Sequence, residues 1–529
     1  MGARLGAVGA YFPHMRSPAF PPAAALAAAC FGASLLAAAP AARAQAHHRY
    51  LPVDTTVTTT HDVTLADGAT LDYTATVGMQ PLWGDDGAPV ATLHYTYYER
   101  ADVGDDKSGR PLLISFNGGP GSGSVWMHLA YTGPRVLNVD DEGYPVQPYG
   151  FRENPHTVLD VADVVYVNPV NTGYSRLVPD ADGKLPDREE FFGINADVAY
   201  LAEWLGTWVG RHRRWTSPKY LIGESYGGTR VMGLAGELQQ AEWMYLNGVV
   251  MVSPADYKFF ESDPPIAHAL NLPYFTAAAH YHEVLPAGLQ ALPLTEALAL
   301  SEAYALDTLM AAVARGGSLP QNQKRAVAER FAHYSGLSTE AVLDYNLQVP
   351  TRYFWKELLR DSEREGGLGR TIGRLDSRYL GIDRQRGGDS PDYNAELTSW
   401  LHTFTPAINH YFATELAFPT DLKYNMFGPV RPWDNTGNDV RERLRQAMAT
   451  NPYLRVLVQS GYYDGATTYF NAKYTTWQLD PSGELQDRIS FEGYESGHMM
   501  YLRREDLAKA NDDLRAFIAR STPAGAARY

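Results

Sequence analysis

Residues 220–228, YLIGESYGG, place a serine between an apolar run and a stretch typical of a helix, residues 229–240. Gly223 and Gly227 flank this serine and allow a chain reversal that larger side chains would obstruct. A Gly-x-Ser-x-Gly sequence between a strand and a helix is typical of a nucleophile elbow, in which the serine hydroxyl stands exposed. The sequence therefore predicts that Ser225 is a catalytic nucleophile at the end of a buried strand.

Short apolar runs recur on both sides of this serine, at residues 111–116, 164–167, 248–252 and 454–459. Continuous runs of this length are typical of parallel strands that are buried on both faces of a sheet. Residues 56–98 instead alternate β-forming residues with turn residues, which predicts antiparallel strands at the sheet edge. Together with a nucleophile elbow, this pattern predicts the α/β class, and within it an α/β-hydrolase fold with a mostly parallel central sheet.

The region from residue 257 to residue 451 has a different pattern, with helical segments rich in Ala, Leu and Glu. Because α/β folds accommodate large insertions, we predict a large, mainly helical lid inserted at 257–451. The core would then consist of a first part, 47–256, and a second part, 452–529. Hydrophobic residues make up 45% of the chain and charged residues 20%, which supports a globular protein with an extensive core.

The first 46 residues differ in composition from the rest of the chain. Basic residues precede an Ala- and Leu-rich run at residues 23–39, and a small-x-small sequence ends at Ala46. This pattern predicts a secretory signal peptide at 1–46, with Met15 as an alternative start, and an exported protein, periplasmic or secreted. A transmembrane anchor is the alternative, although the run is short for a membrane span.

Cleavage after residue 46 would change the chemistry of the chain in two ways. It would remove Cys30, the single cysteine, so no disulfide could form, and lipidation of Cys30 is the open alternative. It would also remove three arginines and no acidic residue, so the formal net charge would fall from −15 to −18. This acidic balance disfavours nucleic acid and anionic membrane surfaces, and we expect neither as a partner after cleavage. The oligomeric state stays open.

A serine nucleophile requires a base, and the base requires a third group that fixes its tautomer. Asp464 follows the last of the apolar runs, and His498 follows a further strand-like run near the C-terminus. The order Ser225, Asp464, His498 is the order of this fold, with the insertion between the first two residues. We therefore predict that His498 is the general base and that Asp464 orients it. Asp480 and Asp487 are the competing acids.

No cofactor is expected. The chain has no Gly-rich loop that ends in Gly-Lys-Ser/Thr, so nucleotide binding is not indicated. The histidine pairs His47 with His48 and His280 with His282 lack the cysteine or helix-spaced acid that would complete a metal site. We therefore predict no metal.

Acyl transfer also requires hydrogen-bond donors for the oxyanion that develops on the substrate. The loop at residues 117–124, NGGPGSGS, follows another buried strand and offers backbone amides that a substrate can approach closely. In this fold a loop at this place in the chain supplies one of two oxyanion donors. We expect residues 117–124 to have that role.

Four motifs together resemble the serine carboxypeptidase family. They are residues 117–122, NGGPGS; 168–175, NPVNTGYS; 223–228, GESYGG; and 497–499, GHM. They occur in the family's order, and the chain therefore resembles an exported bacterial member of this family. The resemblance implies an exopeptidase that releases single residues from peptides with a free C-terminus. It also implies oxyanion donors at Gly119 and Tyr226 and a place for Met499 on the leaving-group side.

The resemblance is incomplete where family members bind the substrate's free carboxylate, through an asparagine, two glutamates and a tryptophan. Asn117 and Glu224 match two of these positions. Ser115 stands at the tryptophan position and Tyr131 at the second glutamate. A substrate carboxylate beside Glu224 requires a shared proton, which favours acidic pH. Tyr131 could donate its phenolic proton and partly replace the missing acid, or the pocket could serve another acyl substrate.

Three functions are compatible with these residues. The first is a carboxypeptidase that works through the triad of Ser225, His498 and Asp464 and an acyl-enzyme. The second is an esterase or acyltransferase with the same triad, which Ser115 and Tyr131 favour. The third is a non-catalytic exported binding protein, which nothing in the sequence requires because every catalytic position is filled.

Overall fold

The computed structural model of the protein describes residues 51–255, 264–361 and 369–525. The predicted signal peptide, with Met15 and Cys30, and the predicted boundary between residues 256 and 257 lie outside the described residues. All the described residues belong to one compact unit, residues 49–529. The division into a core at 47–256 and 452–529 and a lid at 257–451 stays a prediction.

The described residues form fourteen strands. In chain order these are β1 Thr55–Thr64, β2 Thr70–Trp83, β3 Pro89–Arg100, β4 Leu112–Phe116, β5 Arg135–Leu137, β6 Phe151–Glu153, β7 Asp163–Val167, β8 Arg176–Leu177, β9 Lys219–Glu224, β10 Gly248–Val252, β11 Arg370–Ile372, β12 Leu380–Ile382, β13 Arg455–Gly461 and β14 Ile489–Tyr494. Each apolar run that predicts a buried parallel strand lies on β4, β7, β9, β10 or β13.

The same residues form fifteen α-helices. These are α1 Val125–Ala130, α2 Ile194–Arg211, α3 Tyr226–Ala241, α4 Pro264–Leu270, α5 Leu272–Tyr281, α6 Ala287–Gln290, α7 Leu294–Tyr304, α8 Met310–Arg315, α9 Gln321–Ser335, α10 Thr339–Asp344, α11 Thr351–Glu357, α12 Ala395–Thr414, α13 Val440–Thr450, α14 Tyr469–Leu479 and α15 Arg504–Ser521. Among the described residues, one helical stretch, Leu294–Ser318, is long and apolar enough to cross a membrane by length and composition alone. Leu298 and Leu309 of this stretch pack inside apolar clusters of the protein. Length and hydropathy therefore do not by themselves identify it as a membrane span.

Ten strands form the central sheet, in the order β1-β2-β3-β7-β4-β9-β10-β13-β14, with β8 paired to β3. The strands β1, β2 and β3 pair antiparallel, and β3 also pairs antiparallel with β7. From β7 to β14 all neighbouring strands are parallel. This mostly parallel sheet with an antiparallel edge is the arrangement that the sequence predicts for an α/β-hydrolase fold.

The two faces of the sheet bury alternate residues of each parallel strand, as the period of a strand requires. On β9, Leu221 belongs to the apolar cluster that includes α2 and α3. Tyr220 and Ile222 belong to the cluster on the other face, which includes α15. Because helices cover both faces, a substrate can reach the sheet only at the ends of its strands.

The described residues between β10 and β13 are mainly helical and have an apolar cluster of their own around Phe275, Phe331 and Phe354. Their last helix, α13, packs on the core helix α3. The insertion also contains the short antiparallel hairpin β11–β12, which the helical pattern does not predict. The chain between these two strands reaches the end of β13, where the amide of Ser377 donates to the carbonyl of Tyr463 at 3.0 Å.

Candidate active site

Three strands of the central sheet present the predicted catalytic residues at their carboxyl ends. Ser225 follows β9, Asp464 follows β13 and His498 follows β14. The strand β9 pairs in parallel with β10, β10 with β13, and β13 with β14, so these ends lie along one edge of the sheet. On the other side of β9, β4 ends at Phe116 and leads into the loop of Asn117. The topology thus brings the triad and the predicted oxyanion loop together.

Ser225 has the strained backbone of a nucleophile elbow, with φ 60° and ψ −123°. Its amide donates to the carbonyl of Val252 on β10, at 2.9 Å. The turn is so tight that a Cβ on Gly223 would lie 2.0 Å from the carbonyl oxygen of Gly227. Gly223 is therefore required by steric contact within the elbow, and Gly227 by contact with the end of β4, where its Cβ would lie 2.8 Å from the carbonyl oxygen of Phe116.

The loop after β4 packs directly on the elbow. A Cβ on Gly118 would lie 2.6 Å from the amide nitrogen of Tyr226, so only glycine lets the loop come this close. Gly119 has φ 107° and borders the cleft, and within the described ranges no acceptor takes its amide hydrogen. Tyr226 is the first residue of α3, where backbone amides carry partial positive charge. The predicted oxyanion donors thus lie beside Ser225 on two different segments.

Asp464 is fully buried, and both oxygens of its carboxylate are held. Oδ1 accepts the amides of Ala466 at 2.8 Å and of Thr467 at 3.1 Å. Oδ2 accepts the hydroxyl of Thr467 at 2.6 Å and lies 2.6 Å from Nδ1 of His498. A carboxylate held in this way keeps a proton on Nδ1 and leaves Nε2 as the basic nitrogen of His498.

His498 is buried, and its ring contacts both Asp464 and Thr467. Burial opposes the charged imidazolium, but the carboxylates of Asp464 and Glu224 outweigh it and raise the pKa of His498 above its ordinary value. Its Nε2 lies 3.9 Å from Oε1 of Glu224, and His498 borders the same cleft as Ser225. Among the described residues, no hydrogen bond joins Nε2 to the Ser225 hydroxyl. In enzymes without substrate such bonds are often long and tighten only when substrate binds.

A segment of the insertion, residues 374–378, contacts both loops that carry the base and its acid. This segment is termed the brace. Leu375 accepts the amide of His498 through its carbonyl oxygen, at 2.7 Å. Ser377 donates from its amide and its hydroxyl to the carbonyl of Tyr463, each at 3.0 Å. The brace therefore ties the insertion to two loops of the core.

A buried ion pair stiffens the brace. Asp376 and Arg378 form a bidentate pair, with distances of 3.0 Å and 2.7 Å, and neither side chain is more than 3% exposed. Arg378 also donates to the hydroxyl of Ser496 at 3.1 Å. The loop that follows β14 and carries His498, residues 495–498, is termed the histidine loop. A Cβ on Gly497 would lie 2.4 Å from Cβ of Asp376, so the brace packs against this loop without space between them. A shift of Asp376 should therefore also move Gly497 and His498, the residue after it.

Glu224, next to Ser225, is a buried acid at the edge of the cleft. Asn117 donates from Nδ2 to its Oε2 at 3.0 Å, and Tyr501 donates its phenolic proton to the same oxygen. Burial raises the pKa of Glu224 to about 7, against the lowering effect of His498 and of these two hydrogen bonds. In mildly acidic solution the carboxyl is therefore neutral and can share its proton with an anion in the cleft.

The structure corrects the expected role of Tyr131 as a ligand of the substrate carboxylate. A phenol has one proton, and Tyr131 donates it to Oε1 of Gln459 at 2.7 Å. Its ring stacks on that of Tyr501, with ring centroids 4.9 Å apart. The tyrosine that reaches Glu224 is thus Tyr501 and not Tyr131. Ser115 is fully buried on β4 and does not border the cleft.

The cleft above the triad has a volume of about 170 Å³. Its apolar lining consists of Trp126, Leu375, Leu397, Trp400, Phe427 and Met499. The indole N–H groups of Trp126 and Trp400 donate inside the protein, to Ser122 at 2.6 Å and to Tyr379 at 3.0 Å. The two rings therefore offer apolar surface to a substrate. Met499, predicted on the leaving-group side, is part of this lining.

Three residues of the site, Thr467, Tyr501 and Arg374, are not predicted from the sequence. Thr467 follows Asp464 by three residues, a spacing typical of the turn in which an Asp accepts later amides, so its place could have been inferred. Tyr501 follows His498 by three residues, but no sequence pattern directs its hydroxyl to Glu224. Arg374 lies in the insertion and borders the cleft, far from the triad along the chain, and no local pattern marks it.

Residues 86–258 match the family model described as serine carboxypeptidase. The chain is similar to serine carboxypeptidases. Serine carboxypeptidase-like 8 of Arabidopsis thaliana is 26% identical over 206 residues, which cover 35% of this chain and 45% of the relative. Serine carboxypeptidase S10 family member 1 of Dictyostelium discoideum is 29% identical over 140 residues, which cover 26% of this chain and 29% of the relative. The chain thus spans less than half the length of these relatives. The segment that matches the family model, residues 86–258, contains Ser225 but neither Asp464 nor His498.

Among solved structures, Kex1(delta)p, a prohormone-processing carboxypeptidase from Saccharomyces cerevisiae, matches with a TM-score of 0.53 and 15% identity. The match covers 84% of this chain and 91% of that chain. At this identity the likeness shows the fold, and the predicted α/β-hydrolase fold is confirmed. The family model and the relatives support the serine carboxypeptidase family that the four motifs predict.

Proposed function

We propose that the protein is a serine carboxypeptidase-like hydrolase that releases C-terminal amino acids from peptides. The observation that carries the proposal is the meeting of Ser225, His498 and Asp464 beside a buried acid, Glu224, whose pKa is raised to about 7. A triad alone would suit any acyl transfer, whereas a neutral acid beside the nucleophile suits a substrate with a free carboxylate. The match of residues 86–258 to the family model supports the same conclusion.

In the proposed reaction Ser225 attacks the scissile carbonyl while His498 accepts the hydroxyl proton at Nε2. The amides of Gly119 and Tyr226 stabilise the negative charge that develops on the carbonyl oxygen. His498 then protonates the leaving amine, and the acyl group stays on Ser225. Water hydrolyses this ester by the same route, with His498 again as base. Asp464 stabilises the imidazolium in both halves of the reaction.

The leaving amino acid carries a free carboxylate, which would meet Glu224 at the edge of the cleft. Asn117 and Tyr501 hold Oε2 of this acid, so Oε1 is the oxygen that can share a proton with the substrate. Two charged carboxylates in contact with each other would repel, and a single shared proton removes the repulsion. Substrate binding therefore depends on Glu224 being protonated.

Release of free amino acids from blocked dipeptides tests the proposal. We expect the purified full-length protein to release the C-terminal residue within the range from about pH 4 to about pH 8, and we expect the Ser225→Ala variant to release none. A dipeptide with an amidated C-terminus is the matched control, because it lacks only the carboxylate. If the wild-type protein releases no amino acid at any pH in this range, the carboxypeptidase proposal is wrong.

An esterase or acyltransferase with the same triad is the second candidate. It is favoured by the carboxylate site, where the family's second glutamate is replaced by Tyr131, whose proton goes to Gln459, and where Ser115 is buried. Faster turnover of simple esters and amidated peptides than of free-acid peptides would support this candidate. The opposite preference would exclude it.

We also propose that the protein is exported, to the periplasm or outside the cell. The apolar run at residues 23–39 and the small-x-small sequence that ends at Ala46 support this proposal. Expression of the full chain in a bacterial host should yield an exported protein whose N-terminal residue is His47. An intact N-terminus on protein that stays in the cytoplasm would contradict it. The bacterial origin of the chain stays a prediction.

A further inference from the structure

Arg374, the first residue of the brace, borders the active-site cleft and is exposed. In the described part of the chain, its guanidinium forms no ion pair and no hydrogen bond. Other arginines of the insertion do have acidic partners, such as Arg378 with Asp376 and Arg360 with Glu357. Arg374 is thus a positively charged side chain without an acidic partner at the edge of the cleft in which we propose that peptides bind.

The backbone of Arg374 is held firmly although its side chain is not. Its carbonyl accepts the amide of Gly465 at 3.0 Å, and the next residue, Leu375, donates its amide to Oε1 of Glu396 at 2.9 Å. The carbonyl of Leu375 in turn accepts the amide of His498. The start of the guanidinium side chain is therefore fixed relative to the catalytic histidine, which suits a residue that positions a ligand.

The charge of Arg374 acts on two groups of the site. It is among the influences that lower the pKa of His498 and of Glu396, although other groups raise the pKa of His498 above its ordinary value. Burial raises the pKa of Glu396 to about 7, and one of its oxygens, Oε2, has no hydrogen-bond partner among the described residues. Glu396 is therefore neutral in mildly acidic solution and does not neutralise Arg374 there.

The two other acids near Ser225, Glu224 and Asp464, also interact with groups other than Arg374. Glu224 is neutral in mildly acidic solution and receives hydrogen bonds from Asn117 and Tyr501 on one oxygen. The carboxylate of Asp464 is buried and held by His498 and by its own turn. None of these acids pairs with Arg374, so its guanidinium is free to bind the anionic group of a molecule in the cleft.

We propose that Arg374 binds a carboxylate of the substrate and thereby sets the specificity of the site. This inference rests on the proposed function. A guanidinium presents parallel N–H groups that match the two oxygens of a carboxylate. The carboxylate can be the free C-terminus or the side chain of an acidic residue next to the scissile bond. The apolar lining around Trp126, Trp400 and Phe427 suits an apolar group on the rest of the same substrate.

The test compares the full-length wild-type protein with Arg374→Gln and Arg374→Lys. The control variant is Arg352→Gln, which changes an exposed arginine of α11 that does not border the cleft. The substrates are blocked dipeptides that end in alanine, in glutamate or in alanine amide, together with neutral p-nitrophenyl butyrate. We expect Arg374→Gln to lower kcat/KM for carboxylate-bearing substrates by about 10- to 100-fold, mainly through KM, as for the loss of a hydrogen bond to a charged group.

The pattern of losses identifies which carboxylate is bound. Equal losses for the two free acids, with the amide spared, assign Arg374 to the C-terminal carboxylate. A loss confined to the glutamate substrate assigns it to the side chain. In both cases turnover of p-nitrophenyl butyrate, which has no carboxylate, falls less than turnover of the substrate that Arg374 binds, and Arg374→Lys restores part of the lost activity. Equal losses on all four substrates, or no loss on any, overturn the proposal.

The proposed function and the role of Arg374 can fail separately. If the wild-type protein cleaves p-nitrophenyl butyrate but releases no amino acid from any dipeptide, the carboxypeptidase proposal fails alone. Arg374 is then tested with mono-p-nitrophenyl glutarate, an ester whose acyl chain carries a carboxylate. A wild-type preference for this ester over the butyrate that is lost in Arg374→Gln supports the proposal. The absence of such a preference overturns it.

Discussion

Ser225 and His498, the proposed nucleophile and base, border one cleft but are held in place by different means. The strained turn at Ser225 has a local cause, because Gly223 lets β9 turn directly into α3. His498 is held by the brace, which belongs to the insertion and contacts the histidine through the carbonyl of Leu375. The elbow is thus a local structure, and the histidine loop depends on contacts between distant parts of the chain.

This difference assigns a second role to the insertion. A lid that only covers a cleft could be changed without effect on the geometry of the triad. Here Ser377 and Leu375 bind the loops of the acid and the base, and Asp376 packs on Gly497. Changes in the brace should therefore alter catalysis by moving His498, whereas Ser225 should keep its position.

The largest effect is expected at the elbow itself. Ser225→Ala removes the nucleophile, and kcat for dipeptide hydrolysis should fall by on the order of 10⁴-fold or more. Since the methyl group fits wherever the hydroxymethyl group does, the melting temperature should stay within about 2 °C of the wild-type value. Steady-state kinetics and calorimetry measure the two quantities. Substantial activity in this variant would mean that another residue attacks the substrate.

The next effect concerns the stability of the brace. Asp376→Ala leaves Arg378 buried without its bidentate partner, so the free energy of unfolding should fall by about 3–5 kcal/mol. The matched control is Glu340→Ala, which breaks an exposed pair with Arg325 and should cost less than about 1 kcal/mol. Urea unfolding of both variants measures the difference. Equal costs would show that the brace contributes no more than a surface ion pair.

Displacement of the histidine loop should lower kcat. An added methyl group in Gly497→Ala would lie 2.4 Å from Cβ of Asp376, so either the brace or the loop of His498 must shift. A shift of this size should lower kcat by about 100-fold. Gly288→Ala is the control, because a Cβ there meets no atom within 4 Å. Wild-type kcat in Gly497→Ala would refute the dependence of His498 on the brace.

The smallest effect is a change in pH dependence. The pKa of Glu224 is raised from 4.5 to about 7, so a substrate carboxylate meets a neutral acid below pH 7 and a charged one above it. The kcat/KM for a free-acid dipeptide, divided by that for its amide, should therefore fall as pH rises through 7, by at most about 10-fold per pH unit. Titration of His498 affects both substrates and cancels in this quotient.

The matched variant for this experiment is Glu224→Gln, which keeps the size of the side chain and cannot ionise. We expect the quotient to be independent of pH in this variant. A quotient that still falls through pH 7 would assign the titration to another group, of which Glu396 is the candidate, because its pKa is also raised to about 7.

Much of the core and of the triad was predictable, because these features have local causes. The parallel strands β4, β7, β9, β10 and β13 appear as continuous apolar runs since both faces of the sheet are buried. The order Ser225, Asp464, His498 follows from strand ends at one edge of the sheet. The placement of Tyr131 was not predictable, since its hydroxyl could reach either Glu224 or Gln459 until the packing against Tyr501 was known.

The sheet and the position of the elbow at Ser225 follow from the local sequence, since glycine sterics and strand periodicity act over a few residues. The contact of Tyr501 with Glu224, the contact of Leu375 with His498 and the place of Arg374 at the cleft depend instead on tertiary packing. These contacts join segments that are far apart along the chain. No local pattern encodes such a contact, because its geometry depends on how the insertion packs on the core.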